Sequence, residues 1–353
     1  MKILDIYIGK VVIVGAILAL TVLVSIDVFF GMIGELEDVG QGSFTYQDVF
    51  HYILLTLPAR IYNLFPAAVL VGGLMSLGTL ASHSELVAMR AAGISVNRIV
   101  RAAAQAGIVL MLLVVLIGEF VLPPAQRQAQ SVESKKKGVQ ISSSLGSLWL
   151  RIGSDYINVN KAYPDFRLEN VKIHRFNDDA TLHSSTSAAA VFYQDQQWEL
   201  HDIERTTFAG GDIKTENKEV EYWPGLLDPQ LLEVLTIEPE MMSAYELNRY
   251  IMYLKKNKLQ SAKYRLAFWL KMTTPVSCIV MLLIIMPFVF GSLRSVNAGQ
   301  LMVVGILLGL AFYILIQIAS RAGQVYGVPP FISATLPVLC FTVAGLVGLT
   351  RIR

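Results

Sequence analysis

Charge is scarce in this sequence. Only 16% of its 353 residues are Asp, Glu, Lys or Arg, and 54% are apolar, whereas an ordinary soluble domain is about 25% charged. So little charge cannot clothe a globular surface, which excludes a two-domain soluble enzyme. The 29 basic and 27 acidic residues leave a net charge of only +2, so the dense basic face that nucleic acid requires is missing too. Cysteine is rarer still. Cys278 and Cys340 both fall inside apolar runs, and such a pair makes neither a disulfide framework nor a zinc site. The motifs of bond chemistry are also lacking. Gly9-Lys10-Val11 has neither the first glycine nor the hydroxyl of a phosphate loop, and no G-x-S-x-G elbow or H-E-x-x-H pair occurs. His51 and His83 read as loop residues, and His174, His183 and His201 as residues of exposed strands, rather than as a metal site. No catalytic residue, metal ligand or cofactor site is expected in the chain.

What the sequence has in abundance is long apolar runs. A helix needs about 20 apolar residues to cross the hydrocarbon core. Runs of that kind cover 11–26 (extended past Asp27 to 33), 61–82, 102–118 (extended past Glu119 to 122), 272–293, 295–320 and 331–350. Six membrane helices are therefore expected. Gly291-Ser292-Leu293-Arg294-Ser295-Val296-Asn297 reads as a tight turn, because one continuous helix there would be roughly twice too long for a bilayer. The first run is longer than a signal-peptide core and lacks a small-x-small cleavage site, so it reads as an uncleaved span.

Basic residues in short loops orient membrane helices. With the N-terminus inside, Lys2, Lys10, Arg90, Arg98, Arg101, Arg294, Arg351 and Arg353 are cytoplasmic, and only Arg60 and Arg321 lie opposite. Both termini are thus expected in the cytoplasm, with the long segment after the third span in the periplasm. That segment opens with Pro123-Pro124, expected to end the third helix. Short alternating stretches follow at 148–152, 156–160, 171–176, 188–193, 197–200 and 219–223, separated by Gly, Asn and Asp. They predict a small β domain of sandwich, jelly-roll or barrel type. Ser243-Ala244-Tyr245-Glu246 is a capping box opening a helix over 245–256, with Leu247, Ile251 and Leu254 on one face. The expected fold is an α-helical membrane protein with six transmembrane helices and an inserted all-β, jelly-roll-like periplasmic domain. Its units are helices 1–3 in 1–122, the β domain in 123–242, a connecting helix in 243–264 and helices 4–6 in 265–353.

Between the second and third spans lies Ser82-His83-Ser84-Glu85-Leu86-Val87-Ala88-Met89-Arg90-Ala91-Ala92-Gly93. Ser82 or Ser84 suits a helix cap, Glu85 suits the first turn, and Gly93 suits the stop. Leu86 and Met89 fall one turn apart on one face, beside the acidic Glu85. A helix near 83–93 of this kind fits a groove on a cytoplasmic partner, although a solvated loop helix has the same local pattern.

This segment resembles the coupling-helix motif of the lipopolysaccharide export permeases of LptF/LptG type. Leu64-Phe65-Pro66-Ala67-Ala68, Gly118-Glu119-Phe120-Val121, Tyr253-Leu254-Lys255, Phe290-Gly291-Ser292-Leu293-Arg294-Ser295 and Tyr326-Gly327-Val328-Pro329-Pro330 are similar as well. Gly40-Gln41-Gly42-Ser43, the Leu-Arg-Ser turn and the short basic C-terminus resemble the G-type subunits more than the F-type. The resemblance implies an inner-membrane permease subunit of an ATP-binding-cassette exporter that extracts lipopolysaccharide and passes it to a periplasmic bridge. It implies as partners an F-type permease, a cytoplasmic ATPase dimer that carries ATP and Mg, and a single-span C subunit. It also implies ATPase coupling by Glu85, Leu86, Met89 and Arg90.

A lipid with several acyl chains and a phosphorylated head calls for an apolar wall and cations near the periplasmic face. Phe29, Phe30, Phe65, Phe312 and Tyr313 are wall candidates, and Arg60, Lys271 and Arg321 are candidates for the phosphates. Aromatic belts and snorkelling cations give the same pattern. G-type subunits commonly have lysines at the periplasmic end of the first span, where this chain has Gly31, Glu37 and Asp38. Gly305 and Gly309 allow close helix packing and, by the resemblance, a lateral gate. Asp27 and Glu119 are intramembrane ionisable residues of open role. They keep one alternative in view, an ion-coupled secondary transporter. A membrane-anchored periplasmic scaffold is another.

Overall fold

In the computed structural model the described residues are 2–40, 42–137, 148–152, 154–162, 167–177, 181–194, 197–209, 212–223, 239–256, 260–290 and 298–351. Nine α-helices and six strands occur among them. They are α1 Lys2–Leu36, α2 Tyr46–Ser82, α3 Glu85–Ala91, α4 Val96–Leu116, α5 Leu122–Lys137, β1 Leu148–Ile152, β2 Asp155–Ala162, β3 Leu168–Phe176, β4 Leu182–Gln194, β5 Gln197–Ala209, β6 Asp212–Trp223, α6 Ala244–Lys256, α7 Ala262–Phe290, α8 Ala298–Tyr326 and α9 Pro330–Thr350. Six helical stretches are long and apolar enough to cross a membrane, and the strands lie between the third and fourth of them.

Helix α2 is the hub of the bundle. In its most apolar window 72% of residues are buried, against 11% for α1. Val69, Leu70, Leu74 and Leu77 pack in one cluster with Ile8 and Val12 of α1, Ile99, Ala103 and Leu110 of α4, and Cys278, Met281 and Ile285 of α7. The crossing of α1 and α2 is set by glycine. A Cβ on Gly72 would collide with the carbonyl of Gly15 and with Cα of Ala16, so the two backbones meet with no side chain between them. At 37 residues α2 also outruns a bilayer core at about 1.5 Å per residue. Its first turns extend beyond the apolar run and are opened by a capping box of Thr45 and Asp48.

The third span does not end at Pro123-Pro124. It passes through a π-helical turn, Ile117–Val121, and continues as α5 to Lys137. The expectation was sound for a regular α-helix, where an interior proline removes a bond and clashes with the preceding turn. A π turn shifts the bonding pattern by one residue, and both prolines follow it at the start of α5, where missing amide donors are tolerated.

The six strands form one antiparallel sheet in simple sequence order. Strands β4, β5 and β6 are longer than their alternating cores suggest, with 13, 13 and 12 residues. The inward alternation breaks inside β3, β4 and β5 for a physical reason. Asn170 in β3 and Asp202 in β5 have φ of 52° and 50°, and the registers align both with Ala189 between them. Across this line the inward phase slips by one residue. Leu168, Val191 and Leu200 are buried on one side of it, Val171, Ala188 and Ile203 on the other, and all six belong to one core. The sheet is thereby creased into two leaves. The guanidiniums of Arg175 and Arg205, on one leaf, lie 5.5 and 6.0 Å from the ring centre of Trp223 on the other. An all-β domain between membrane helices, as expected, is what this chain builds. The turn expected at 291–297 lies outside the described residues.

Candidate functional site

Helix α3 is seven residues long and sits between α2 and α4. Gly93, with φ +84°, follows its end and gives the left-handed conformation that terminates a helix. At the other end Ser84 makes no side-chain cap and is itself left-handed, with φ 60°. The pairing of Leu86 and Met89 on one face is real, but that face is turned inward. Leu86 is only 3% exposed and belongs to the main bundle core, with Met89 packed against it. Glu85 accepts a hydrogen bond of 2.8 Å from the Tyr7 hydroxyl of α1. Nearby, Arg98 of α4 pairs with Asp5 of α1 at 3.2 Å. What α3 offers outward is Ala88, Arg90, Ala91 and the turn through Gly93, with Glu85 partly exposed beside them.

At the opposite end of α1, Asp27 and Arg60 form an ion pair at 2.5 Å, and Arg60 also donates to the Asp27 carbonyl at 3.1 Å and to Thr56 Oγ1 at 3.3 Å. Gly31 makes this reach possible, because a Cβ there would fall 2.5 to 2.9 Å from the Arg60 guanidinium. The cation missing from α1 is therefore laid across α1 from α2. Phe29 and Phe30 are exposed nearby in sequence, edge to face at 5.7 Å. Arg321 and Tyr313 are exposed too. By contrast Phe65 and Phe312 are buried, the latter edge to face with Phe341 at 4.9 Å. Gly305 and Gly309 of α8 lie against Val71, Leu74, Leu70 and Ala67 of α2, a seam within the chain.

Lys271 of α7 is only 7% exposed. Its ammonium donates to the Met242 carbonyl and lies 6.0 Å from the Tyr62 ring centre. The residues grouped around it are far apart in the sequence. Glu119, in the π turn, accepts the amides of Ala244 at 2.8 Å and Tyr245 at 3.2 Å. Ser243 and Glu246 cap the same helix reciprocally, at 2.9 and 3.1 Å, and Arg127 of α5 pairs with Glu246. Gly118 lets the π turn approach the Tyr62 ring, which a Cβ would meet at 2.6 Å. Burial alone would raise the Glu246 carboxyl, but its bonds from Ser243 and the charge of Arg127 hold it below the usual carboxylate range. Farther along α6, burial beside the Tyr264 ring raises the Tyr250 phenol. Glu119 as an intramembrane carboxylate and the capping box at Ser243 are each visible in the sequence, and nothing there joins residues 119 and 244.

Among the described residues no group of three or more His, Cys, Asp or Glu is placed to hold a metal ion. The polar groups at both ends of the bundle bind one another across helices. The described chain is thus a bundle of six membrane-length helices, with a short helix between the second and third and a creased sheet between the third and fourth. Residues 6–351 match the family described as lipopolysaccharide export system permease LptF/LptG.

The chain belongs to that family.

Its similarity extends to individual members. It is 33% identical over 353 residues to lipopolysaccharide export system permease protein LptG of Escherichia coli K12, covering 99% of this chain and 98% of the relative. It is 33% identical over 344 residues to the protein of the same description in Haemophilus influenzae Rd, covering 96% of each. The resemblance to G-type permeases thus holds along the whole LptF/LptG-family fold, from α1 through the sheet to α9.

Proposed function

We propose that this chain is an inner-membrane permease subunit of a lipopolysaccharide exporter, extracting the lipid from the bilayer and passing it to a periplasmic bridge. The observation that carries the reading is the family match over 6–351, on a fold whose six apolar helices flank a β domain. Lifting acyl chains into water costs about 0.8 kcal/mol per CH₂, so extraction needs both an energy source and an apolar route. ATP with Mg in a cytoplasmic ATPase dimer supplies the first, and the apolar interior between the two leaves of the sheet is suited to the second. An F-type permease and a single-span C subunit complete the assembly. The termini and α3 face the cytoplasm and the sheet faces the periplasm, in line with the distribution of basic residues.

In this scheme Glu85 and Arg90 meet the ATPase, while Leu86 and Met89 carry the motion into the bundle through their packing. Arg60, held over Gly31, meets the anionic head of the lipid at the periplasmic end of α1, with Phe29 and Phe30 against its chains. Asp27 and Glu119 each have a structural partner, Arg60 and the start of α6, and no observation favours them as carriers in an ion-coupled transporter.

The test is reconstitution in proteoliposomes containing lipopolysaccharide. The complex with its ATPase is expected to release the lipid to a soluble periplasmic acceptor only when ATP is hydrolysed. Release that persists without the ATPase, or that follows a proton gradient alone, overturns the reading. Within the working complex, Arg60→Glu is expected to lower photo-crosslinking of lipopolysaccharide to α1, and unchanged crosslinking removes Arg60 from the lipid site.

A further inference from the structure

The cluster around Glu119 has features that neither helix packing nor lipid binding requires. Its carboxylate comes from a membrane span, yet both of its bonds go to the first amides of α6, 125 residues away along the chain. A second carboxylate, Glu246, already occupies the capping box of that helix and is itself bonded to α5 through Arg127. Lys271 of α7 ties down the carbonyl of Met242, just before α6 begins. Tyr62 of α2 touches both sides of the arrangement, through its ring against Gly118 and through its hydroxyl, which donates to the Lys271 carbonyl at 3.4 Å. Beyond this point α6 lies on α7 through Leu247, Tyr250 and Leu254 against Ala267, with Tyr264 and Phe268 alongside. The segment leaving the sheet is therefore fastened to the helix that enters it and to the span that follows it, at one spot.

The π turn explains how Glu119 comes to aim there. A π turn inserts one extra residue in a helical ladder and rotates the residues that follow. A carboxylate at the start of a helix gains both hydrogen bonds and the favourable end of the helix dipole. A capped start, bonded twice to the third span and once to α7, restrains α6 from swinging independently of the third span.

We infer that Glu119 is a positioning residue that links the third span rigidly to α6, so that movements of the membrane bundle reach the exit of the β domain and drive hand-over of lipid rather than its capture. The inference rests on the transport reading above. Glu119 itself need not touch lipid.

The experiment separates capture from hand-over in the reconstituted full complex, with photo-crosslinks from lipopolysaccharide to α1 reporting the first and to the sheet reporting the second. The wild-type complex tests the transport reading, because absence of ATP-dependent crosslinks in both places defeats that reading before any variant is compared. With the wild type working, Glu119→Ala is expected to leave crosslinks to α1 and the ATPase rate within about twofold while sheet crosslinks fall by about tenfold, on the scale of a lost helix cap. Glu119→Gln, which keeps one acceptor oxygen, should fall between. Rigid linkage is probed in turn by Glu119→Cys with Ala244→Cys, in a chain with Cys278 and Cys340 replaced. A short bifunctional thiol reagent should restore hand-over, whereas a contact that must open would be jammed by it. Normal hand-over in Glu119→Ala, failure of the crosslinked pair to recover, or loss of assembly in both Glu119→Ala and Glu119→Gln overturns the inference, the last by making Glu119 a folding residue.

Discussion

Glu246 accepts the Ser243 amide and pairs with Arg127, and its negative charge strengthens the first interaction and makes the second. Its folded-state carboxyl lies below the ordinary value of 4.5. The stabilisation is therefore present above the unfolded value and is lost as pH falls through the lower folded one. Glu246→Gln is expected to lower the melting temperature of the detergent-solubilised chain at pH 7, and the gap from wild type should close as the pH falls through the lowered folded-state value. A gap that stays constant with pH contradicts the charge-based account. The reciprocal bond is legible in the sequence because a capping box joins residues only three positions apart. The pairing of Asp27 with Arg60 is not, since 33 residues separate them and only the packing of α1 on α2 at Gly15 and Gly72 decides which cation reaches which carboxylate.

At the scale of single elements, α3 shows how the same pattern can be used in two ways. An apolar pair one turn apart on a short helix suits either a partner's groove or the helix's own bundle, and periodicity carries no sign for direction. Here the bundle takes Leu86 and Met89. Glu85→Lys should consequently weaken co-purification of the ATPase, while Leu86→Ala should leave the ATPase bound but uncouple its hydrolysis from lipid release. The cavity left by Leu→Ala costs about 2–5 kcal/mol, and it falls between α3 and the core rather than on the outer face. Equal loss of ATPase binding in both variants argues against this division. The α1–α2 crossing is equally specific. Gly72→Leu is expected to push α1 off α2 and lower the melting temperature, overpacking of this kind costing about 1–3 kcal/mol or more. In the sheet, Trp198 is buried in the core between the leaves, and Trp198→Ala should expose that core to limited proteolysis with a loss of about 3–5 kcal/mol.

For the molecule as a whole, the buried clusters of the bundle and of the sheet share no residue. The two parts therefore have separate sources of apolar stability, joined through α5 and α6. Replacing 148–223 by a short flexible linker is expected to leave the membrane helices assembled with the ATPase and hydrolysing ATP, while delivery to a periplasmic acceptor is abolished. Failure of assembly in that chain would show that the bundle depends on the sheet. The six spans, the inserted β domain and the family were all legible, since each rests on patterns that repeat within a few residues or on motifs read directly. The candidate site was legible only in part. Local pattern located α3, but the joint of Glu119, Lys271 and α6 joins residues that are remote in sequence, and a proline pair masked the continuation of the third helix.

Composition and hydropathy alone determined that this chain lives in a membrane, how often it crosses and where its β domain is inserted, because solvent transfer acts on each segment independently of its neighbours. Tertiary structure alone decided which face of α3 is spent on the core, where the sheet creases, and that a carboxylate in the third span holds the helix returning from the sheet. Those outcomes depend on how backbones approach one another and on which polar groups find partners in the same place, and neither is a property of any one segment.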